Sequence, residues 1–247
     1  MGLLDLQRKK ARGEPIVMVT AYDYPTGVLA DRAGVDMVLV GDSLGMVALG
    51  YESTVPVTME EMIHHTRAVV RGCRRPFVVA DLPFMSYQEG PTQAVRNAGR
   101  LVKEGGADAV KMEGGKETVA AVSALAAAGI PVMSHLGLTP QTATSLGGYR
   151  VQGREATAAR RLIDDAIALE EAGAFSILVE CIPDRVAAAL RERLRVPLIG
   201  IGAGPDCDGQ VLVLSDMLGL FDRFVPRFAK QYANVSQVIL DAIRTYA

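Results

Sequence analysis

The stretch DMVLVGDSLG, Asp36 to Gly45, decides how the chain is read. Met37 to Val40 are four apolar residues in a row, two of them β-branched, as in a strand buried on both faces. The run breaks off at Gly-Asp-Ser, so a carboxylate stands where the apolar residues end. A single Asp in that position could simply cap a following helix, which Asp does well. It gains meaning only if other strands stop in the same way.

Runs of the same kind recur along the chain. They are IVMVTAYD (Ile16 to Asp23), FVVADLP (Phe77 to Pro83), AVKMEGG (Ala109 to Gly115), PVMSHLG (Pro131 to Gly137), SILVECIP (Ser176 to Pro183) and PLIGIGAG (Pro197 to Gly204), with a weaker QVLVLSD (Gln210 to Asp216). Helix-like stretches lie between them. PVTMEEMIHHTRAVVRG carries Thr58 with Glu61 three residues later, a capping-box spacing. AGRLVKEGGA, KETVAAVSALAAAGI and ATAARRLIDDAIALEEAGA each close on Gly, a common helix stop. Strand and helix alternating about eight times predict parallel pairing through right-handed crossovers. The expected fold is α/β, a closed (β/α)8 (TIM) barrel rather than an open doubly wound sheet, with residues 1–247 as a single domain. No linker or shift in composition marks a second one.

Bulk properties narrow the function. The chain is 49% hydrophobic with mean hydropathy +0.21, ample for a core and compatible with large contacts between copies. Net charge is −2 and the longest basic run is Arg8-Lys9-Lys10, which argues against a nucleic-acid binder. No apolar stretch reaches the ~18 residues of a membrane span, and Met1 to Arg12 does not read as a signal peptide. Cys73, Cys181 and Cys207 lack metal-ligand spacing and suit free thiols, so a cytoplasmic location is expected.

In a barrel of this kind, functional side chains gather at the carboxyl ends of the strands. Those ends read Asp23, Asp42, Asp81, Glu113, His135, Glu180 and the glycines of GIGAG. One or two of the acids can be helix caps, but Asp42, Asp81 and Glu113 together ask for another reason. Crowded carboxylates repel one another, and a cation relieves them. Oxygen donors without a His or Cys grouping suit a hard ion such as Mg²⁺. The pattern points to metal-assisted chemistry on a small, oxygen-rich substrate.

Lys111 and Glu113 are two apart, so both point inward, with Lys111 one layer deeper. A buried lysine needs a partner, either these acids or an anionic substrate, unless its stem lies along the wall with the amine in solvent. Glu180 ends the apolar SILVECI; an acid in apolar surroundings has a raised pKa and can serve as a general base. His135 is a candidate for hydrogen-bonding the substrate, with a satisfied core histidine as the commoner alternative. His64 and His65 lie on a helix and read as surface residues. Alternation turns Cys181 away from the interior. GIGAGPDCDG lacks both G-x-G-x-x-G and a Walker lysine, so a close backbone approach is as good a reading as a phosphate cradle. Leu136 to Arg154 is too long for a simple connection and is a candidate lid.

The blocks VGDSLGM, STVPVTMEEMIHHTRAVVRG, ADLPFMSY, VKMEGG, SHLGLTPQ, GGYRVQGR, LVECIP and IGIGAGPDCDGQVLV, in one order from about Thr20 to Lys230, closely resemble the ketopantoate hydroxymethyltransferase family. That resemblance implies a barrel of the phosphoenolpyruvate/pyruvate type, commonly a homodecamer. It implies Mg²⁺ held at Asp42, Asp81 and Glu113, a 2-oxo acid held at Asp42, Ser43, Asp81 and Lys111, and Glu180 as the catalytic base. The implied reaction moves a hydroxymethyl group from 5,10-methylene-tetrahydrofolate to 3-methyl-2-oxobutanoate through a Mg-stabilised enolate, the first committed step of pantothenate biosynthesis. Family members often run on past their last helix, whereas this chain stops at Ala247, so contacts made by such a tail are left open. The folate has no recognisable motif, and the loops around Tyr51 and Tyr149 are its nearest candidates. A metal-dependent 2-oxo-acid aldolase or lyase would need the same acids without folate. A Schiff-base aldolase would need Lys111 uncharged, and a non-catalytic barrel would have no use for the full set of strand-end acids.

Overall fold

The computed structural model describes residues 1–221, 223 and 225–247. Eight strands close into a barrel in chain order: β1 (Ile16–Thr20), β2 (Met37–Val40), β3 (Phe77–Asp81), β4 (Ala109–Glu113), β5 (Val132–Gly137), β6 (Ser176–Glu180), β7 (Leu198–Ile201) and β8 (Gly209–Leu212). Every neighbouring pair is parallel, and β8 returns to β1 through Ile16↔Gly209 to Val19↔Leu212. The barrel expected from the alternation of apolar runs is therefore present.

The helices are α1 (Leu3–Arg12), α2 (Tyr24–Ala33), α3 (Leu44–Val47), α4 (Met59–Gly72), α5 (Pro91–Arg100), α6 (Val119–Ala127), α7 (Ala156–Glu171), α8 (Asp184–Arg193), α9 (Leu214–Leu218) and α10 (Val235–Tyr246). Local chemistry explains their limits. Thr58 accepts from the backbone N–H of Glu61 while Glu61 accepts from that of Thr58, so the capping box exists as spaced in the sequence. Asp23, first read as a strand-end acid, caps α2 by accepting from Thr26 N–H at 2.8 Å, and so leaves the list of site residues. His65 is half-buried rather than on the surface, its Nδ1 lying 2.6 Å from the Tyr22 carbonyl; His64 is exposed.

Two layers of apolar residues build the core. One lies between strands and helices, and the other fills the barrel with inward residues such as Met18, Met37, Val79, Met133, Leu178 and Ile199. The floor of the inner layer comes from α1, whose Leu6 is buried among these strand residues. Full burial of one leucine is worth roughly 1.5–3 kcal/mol. Lys9 and Lys10 on the same helix meet Asp36 and Asp208 beside it.

The alternation fails once. Between β7 and β8 the chain has no helix, and residues 202–208 run straight back from the top of one strand to the foot of the next. This is the GIGAGPDCDG stretch, and its glycines serve that return. Gly202 and Gly204 have φ of 62° and 84°, and a Cβ on Gly200 would sit 2.6 Å from Cys207 Sγ. Close approach, not a phosphate cradle, accounts for them. The eighth strand also stops at Leu212, and Leu214 onward is α9, so only part of QVLVLSD is a strand.

No residue of α10 is buried, and Val238, Ile239, Leu240 and Ile243 are exposed on it. No helix among the described residues is long and apolar enough to cross a membrane.

Candidate active site

The carboxyl ends of β2 to β6 bring the singled-out residues together. Asp42 follows β2, Asp81 ends β3, Lys111 and Glu113 lie on β4, His135 on β5 and Glu180 at the end of β6. Strand register pairs Asp81 with Lys111 and Glu113 with His135, and sets Glu180 beside Gly137. Asp42, Asp81, Lys111, Glu113 and His135 are all buried, and the Glu180 side chain is 17% exposed. Gly-Asp-Ser is the sequence this turn requires. A Cβ on Gly41 would fall 2.8 Å from Ser43 Oγ, and Asp42 N–H donates to Asp81 Oδ2 at 2.9 Å.

Charge is unevenly matched here. Lys111 Nζ lies 2.6 Å from Asp81 Oδ1, a charge contact in which Oδ1 has no aligned hydrogen bond. Burial works to lower the lysine pKa, but Asp81, Glu113 and Asp42 outweigh it and hold it above the usual lysine range. Asp42 is pushed well above the ordinary carboxylate range, first by burial and then by Asp81 and Glu113. One lysine does not neutralise three acids.

His135 stands between two more contacts. Its Nδ1 is 3.4 Å from Glu113 Oε1 and its Nε2 is 3.4 Å from Glu180 Oε2. Neither ring nitrogen has an aligned hydrogen bond, so attraction between charges couples the three groups. Burial opposes the charged imidazole, yet Glu113 and Glu180 push its pKa up to about 9. The Glu180 environment therefore differs from the apolar one expected: the carboxylate is partly exposed and faces an imidazolium.

Three polar residues join the site that the strand-end pattern passed over. Gln141 sits in a 3-10 turn (Pro140–Thr142) of the loop after β5 and is buried. Its Nε2 donates to Asp42 Oδ2 and to the Leu82 carbonyl, both at 2.9 Å, and its backbone N–H donates to Glu113 Oε2 at 3.0 Å. Tyr87 donates its hydroxyl to Gln141 Oε1 at 2.7 Å and accepts from Glu113 N–H. Tyr22 lies 2.9 Å from Ser43, hydroxyl to hydroxyl. Gln141 follows a proline in a turn, where no periodicity marks the inward side chain.

The loop does lie over this end of the barrel. Leu138 N–H donates to the Glu180 carbonyl at 2.8 Å, and Gln152 N–H to the Cys181 carbonyl at 2.8 Å, so both ends of the loop are tied to the end of β6. Gly137 makes the turn with φ 93°, where a Cβ would lie 2.3 Å from the Glu180 carbonyl oxygen. Cys181 takes φ 48°, is half-buried and has its thiol pushed up to about 12 by burial and Glu180, which makes it a poor nucleophile. Tyr149 is exposed, with its hydroxyl 4.0 Å from Met46 Sδ, whereas the Tyr51 hydroxyl is taken up by Glu61. A cavity of about 580 Å³ lies behind β4 and β5, walled by α6, α7 and the loop; Asp42, Asp81 and Lys111 stand apart from it.

The donor set suits a hard divalent cation. It offers carboxylate oxygens only, leaves Asp81 Oδ1 short of a hydrogen bond and keeps Asp42 under pressure to accept positive charge. Among the described residues, no three His, Cys, Asp or Glu side chains stand close enough together to hold a metal ion as they are.

Fold and site define a class: a (β/α)8 barrel with buried acids and one lysine at its carboxyl mouth. Solved structures share this fold. Phosphonopyruvate hydrolase in complex with oxalate and Mg²⁺ matches with TM-score 0.65 and 16% identity over 99% of this chain and 85% of that one. The 2,3-dimethylmalate lyase of the PEP mutase/isocitrate lyase superfamily matches with TM-score 0.60 and 17% identity over 98% and 85%.

The particular family follows from sequence. Residues 1–247 match the family described as ketopantoate hydroxymethyltransferase. The chain is 63% identical over 244 residues to 3-methyl-2-oxobutanoate hydroxymethyltransferase of Moorella thermoacetica, covering 99% of this chain and 91% of that protein. It is 58% identical over 241 residues to the protein of the same name from Carboxydothermus hydrogenoformans, covering 98% and 87%. The chain belongs to the ketopantoate hydroxymethyltransferase family, whose members transfer a hydroxymethyl group to 3-methyl-2-oxobutanoate in pantothenate biosynthesis.

Proposed function

We propose that the mouth of this barrel transfers a hydroxymethyl group from 5,10-methylene-tetrahydrofolate to 3-methyl-2-oxobutanoate, giving 2-dehydropantoate, with Mg²⁺ held by Asp42, Asp81 and Glu113. The observation that carries this reading is the burial of three crowded acids and Lys111 next to the more open Glu180. Magnesium bound there supplies Lewis-acid polarisation of the 2-oxo group, which acidifies the C3–H.

The residues divide the remaining work. Lys111, kept charged by its neighbours, offsets the negative charge that the substrate brings and that grows on its oxo oxygen. Ser43, with Tyr22 on one side of its hydroxyl, has hydrogen-bonding capacity left for the carboxylate end of the substrate. Glu180 removes the C3 proton, and His135 holds that carboxylate toward the interior. His135, between Glu113 and Glu180, is also placed to hydrogen-bond the substrate. Water releases the one-carbon unit from tetrahydrofolate at the formaldehyde level, the C3 carbon adds to its carbonyl carbon, and the proton taken by Glu180 goes to the new oxygen to complete the hydroxymethyl group. A Schiff-base route through Lys111 is disfavoured, because an amine pushed up in pKa beside Asp81 is not nucleophilic.

The chain works as one domain in a homo-oligomer, a decamer by likeness to its family, and in the cytoplasm. Support for assembly is the apolar surface of α10, which the described residues of its own chain leave exposed. Light scattering would give the mass, and a shift to monomer on replacing Val238 and Ile243 with Ser would identify the helix as the contact.

The reaction is tested by proton NMR of 3-methyl-2-oxobutanoate in D₂O. Loss of the C3 proton signal with Mg²⁺ but not with EDTA, followed by 2-dehydropantoate formation on adding methylene-tetrahydrofolate, is expected. Exchange without product would move the assignment to an aldolase with another acceptor. No exchange in folded, metal-loaded protein would withdraw the roles given to the acids.

A further inference from the structure

We infer that Gln141 is a positioning residue that couples closure of the loop over the barrel to binding of a divalent cation at Asp42 and Glu113. The inference rests on the metal site proposed above and goes beyond it in assigning a residue outside the ligand set. Gln141 is the point where the loop enters the site. One side chain and one backbone N–H reach acids on two strands, Asp42 through Nε2 and Glu113 through the main chain.

Each bond uses one oxygen of its carboxylate, Asp42 Oδ2 and Glu113 Oε2. Asp42 Oδ1 is left to a cation, Glu113 Oε1 lies 3.4 Å from His135 Nδ1, and the hydrogen bond from Gln141 fixes which way each carboxylate points. Ligating carboxylates are commonly oriented in this way by outer hydrogen bonds, whose loss costs 10–100-fold in metal affinity.

Gln141 cannot rotate away cheaply. Its Oε1 accepts from Tyr87, its second Nε2 proton goes to the Leu82 carbonyl, and the side chain is buried. The amide is thus fully engaged only when the loop is seated and the acids are in place. Binding energies coupled in this manner are reciprocal: a cation that favours this arrangement of Asp42 and Glu113 also favours the seated loop. The loop carries its own reporter, since Arg150 lies exposed between Gln141 and the anchor at Gln152.

Mn²⁺ serves as the probe, with binding followed by the loss of the free-ion electron paramagnetic resonance signal. Gln141→Ala should weaken Mn²⁺ binding by about 10–100-fold. In the wild-type protein, saturating Mn²⁺ should slow tryptic cleavage after Arg150; in Gln141→Ala the cleavage rate should be high and no longer respond to the ion. Tyr87→Phe leaves Gln141 present but removes the hydroxyl that holds its Oε1, and should give a smaller loss of affinity with a partial loss of protection. This second variant covers the case in which Gln141→Ala does not fold, which thermal melting would reveal.

Unchanged or tighter Mn²⁺ binding in both folded variants would overturn the inference, as would full protection of Arg150 by Mn²⁺ in Gln141→Ala. Neither readout needs turnover. Absence of product alongside the expected Mn²⁺ and protease results would count against the reaction and leave the coupling standing. Absence of Mn²⁺ binding by the wild-type protein would overturn the coupling and the metal site together.

Discussion

The two ends of the barrel use acids in opposite ways. At the amino-terminal end, Asp36 accepts from Lys9 and from Val17 N–H, and Asp208 accepts from Lys10, Arg191 and Leu198 N–H. Asp108 accepts from Val78 N–H. These acids stand just before β2, β8 and β4, and each reaches the start of the preceding strand. At the carboxyl-terminal end, Asp42, Asp81, Glu113 and Glu180 share one lysine and one histidine, and Asp42 is driven up in pKa. Carboxylates at the first end find cations and backbone donors within the protein. Those at the second are held in a state that a ligand would improve, and such groups cluster where chemistry is done.

Glu180→Gln gives the largest separation between the two ends. It should lower kcat by about 10²–10⁴, the usual worth of a positioned base, with the melting temperature little changed. C3 exchange in D₂O should vanish while Mn²⁺ still binds. At the other end, Asp208→Ala strands Lys10, Arg191 and the Leu198 N–H at once. Breaking a buried pair typically costs about 3–5 kcal/mol, so the urea midpoint should drop sharply while activity per folded molecule is kept. Equal loss of activity in the two variants would erase the contrast.

Two smaller effects depend on pH. His135 rises from 6.5 to about 9 on folding, so it adds stability that is complete below 6.5 and lost as pH climbs through 9. Melts of metal-free protein should show that fall, on the order of 3 kcal/mol, and His135→Gln should flatten it. Asp42 has the same direction of shift, so its ionised form opposes folding at neutral pH. Asp42→Asn should therefore stabilise the metal-free protein at pH 7, with the gain vanishing in acid. Destabilisation in that variant at pH 7 would show that the crowding at the mouth is already relieved within the chain.

The barrel was legible because strands covered on both faces leave continuous apolar runs, and seven of the eight were clear of their neighbours. The mouth acids are legible because several such runs end on a carboxylate and helix capping explains only one of them, Asp23. What escaped was set by geometry that spacing does not carry. Gln141 and Tyr87 enter the site from loops, and the helix missing between β7 and β8 leaves only glycines and a short return as its trace. The apolar strand reveals Glu180, yet its partner His135 lies on the adjacent strand β5, a different part of the chain. The staples at the foot did leave a mark: Asp36, Asp108 and Asp208 each stand within one residue of an apolar run, a repeat seen only by reading strand beginnings as closely as strand ends.

The floor of the barrel bears on how the molecule comes to be folded. Leu6 is synthesised before every strand of the barrel, yet its pocket is built from strands reaching to Val211, and Lys10 finds Asp208 across 198 positions. Contacts of such sequence separation make folding slow, because loop entropy is lost before they form. On a ribosome adding ~5–20 residues per second, α1 waits roughly ten seconds or more for the final strand. An amphipathic helix exposed for that long is a natural client for a chaperone, and an element made before all eight strands is the one that closes the barrel.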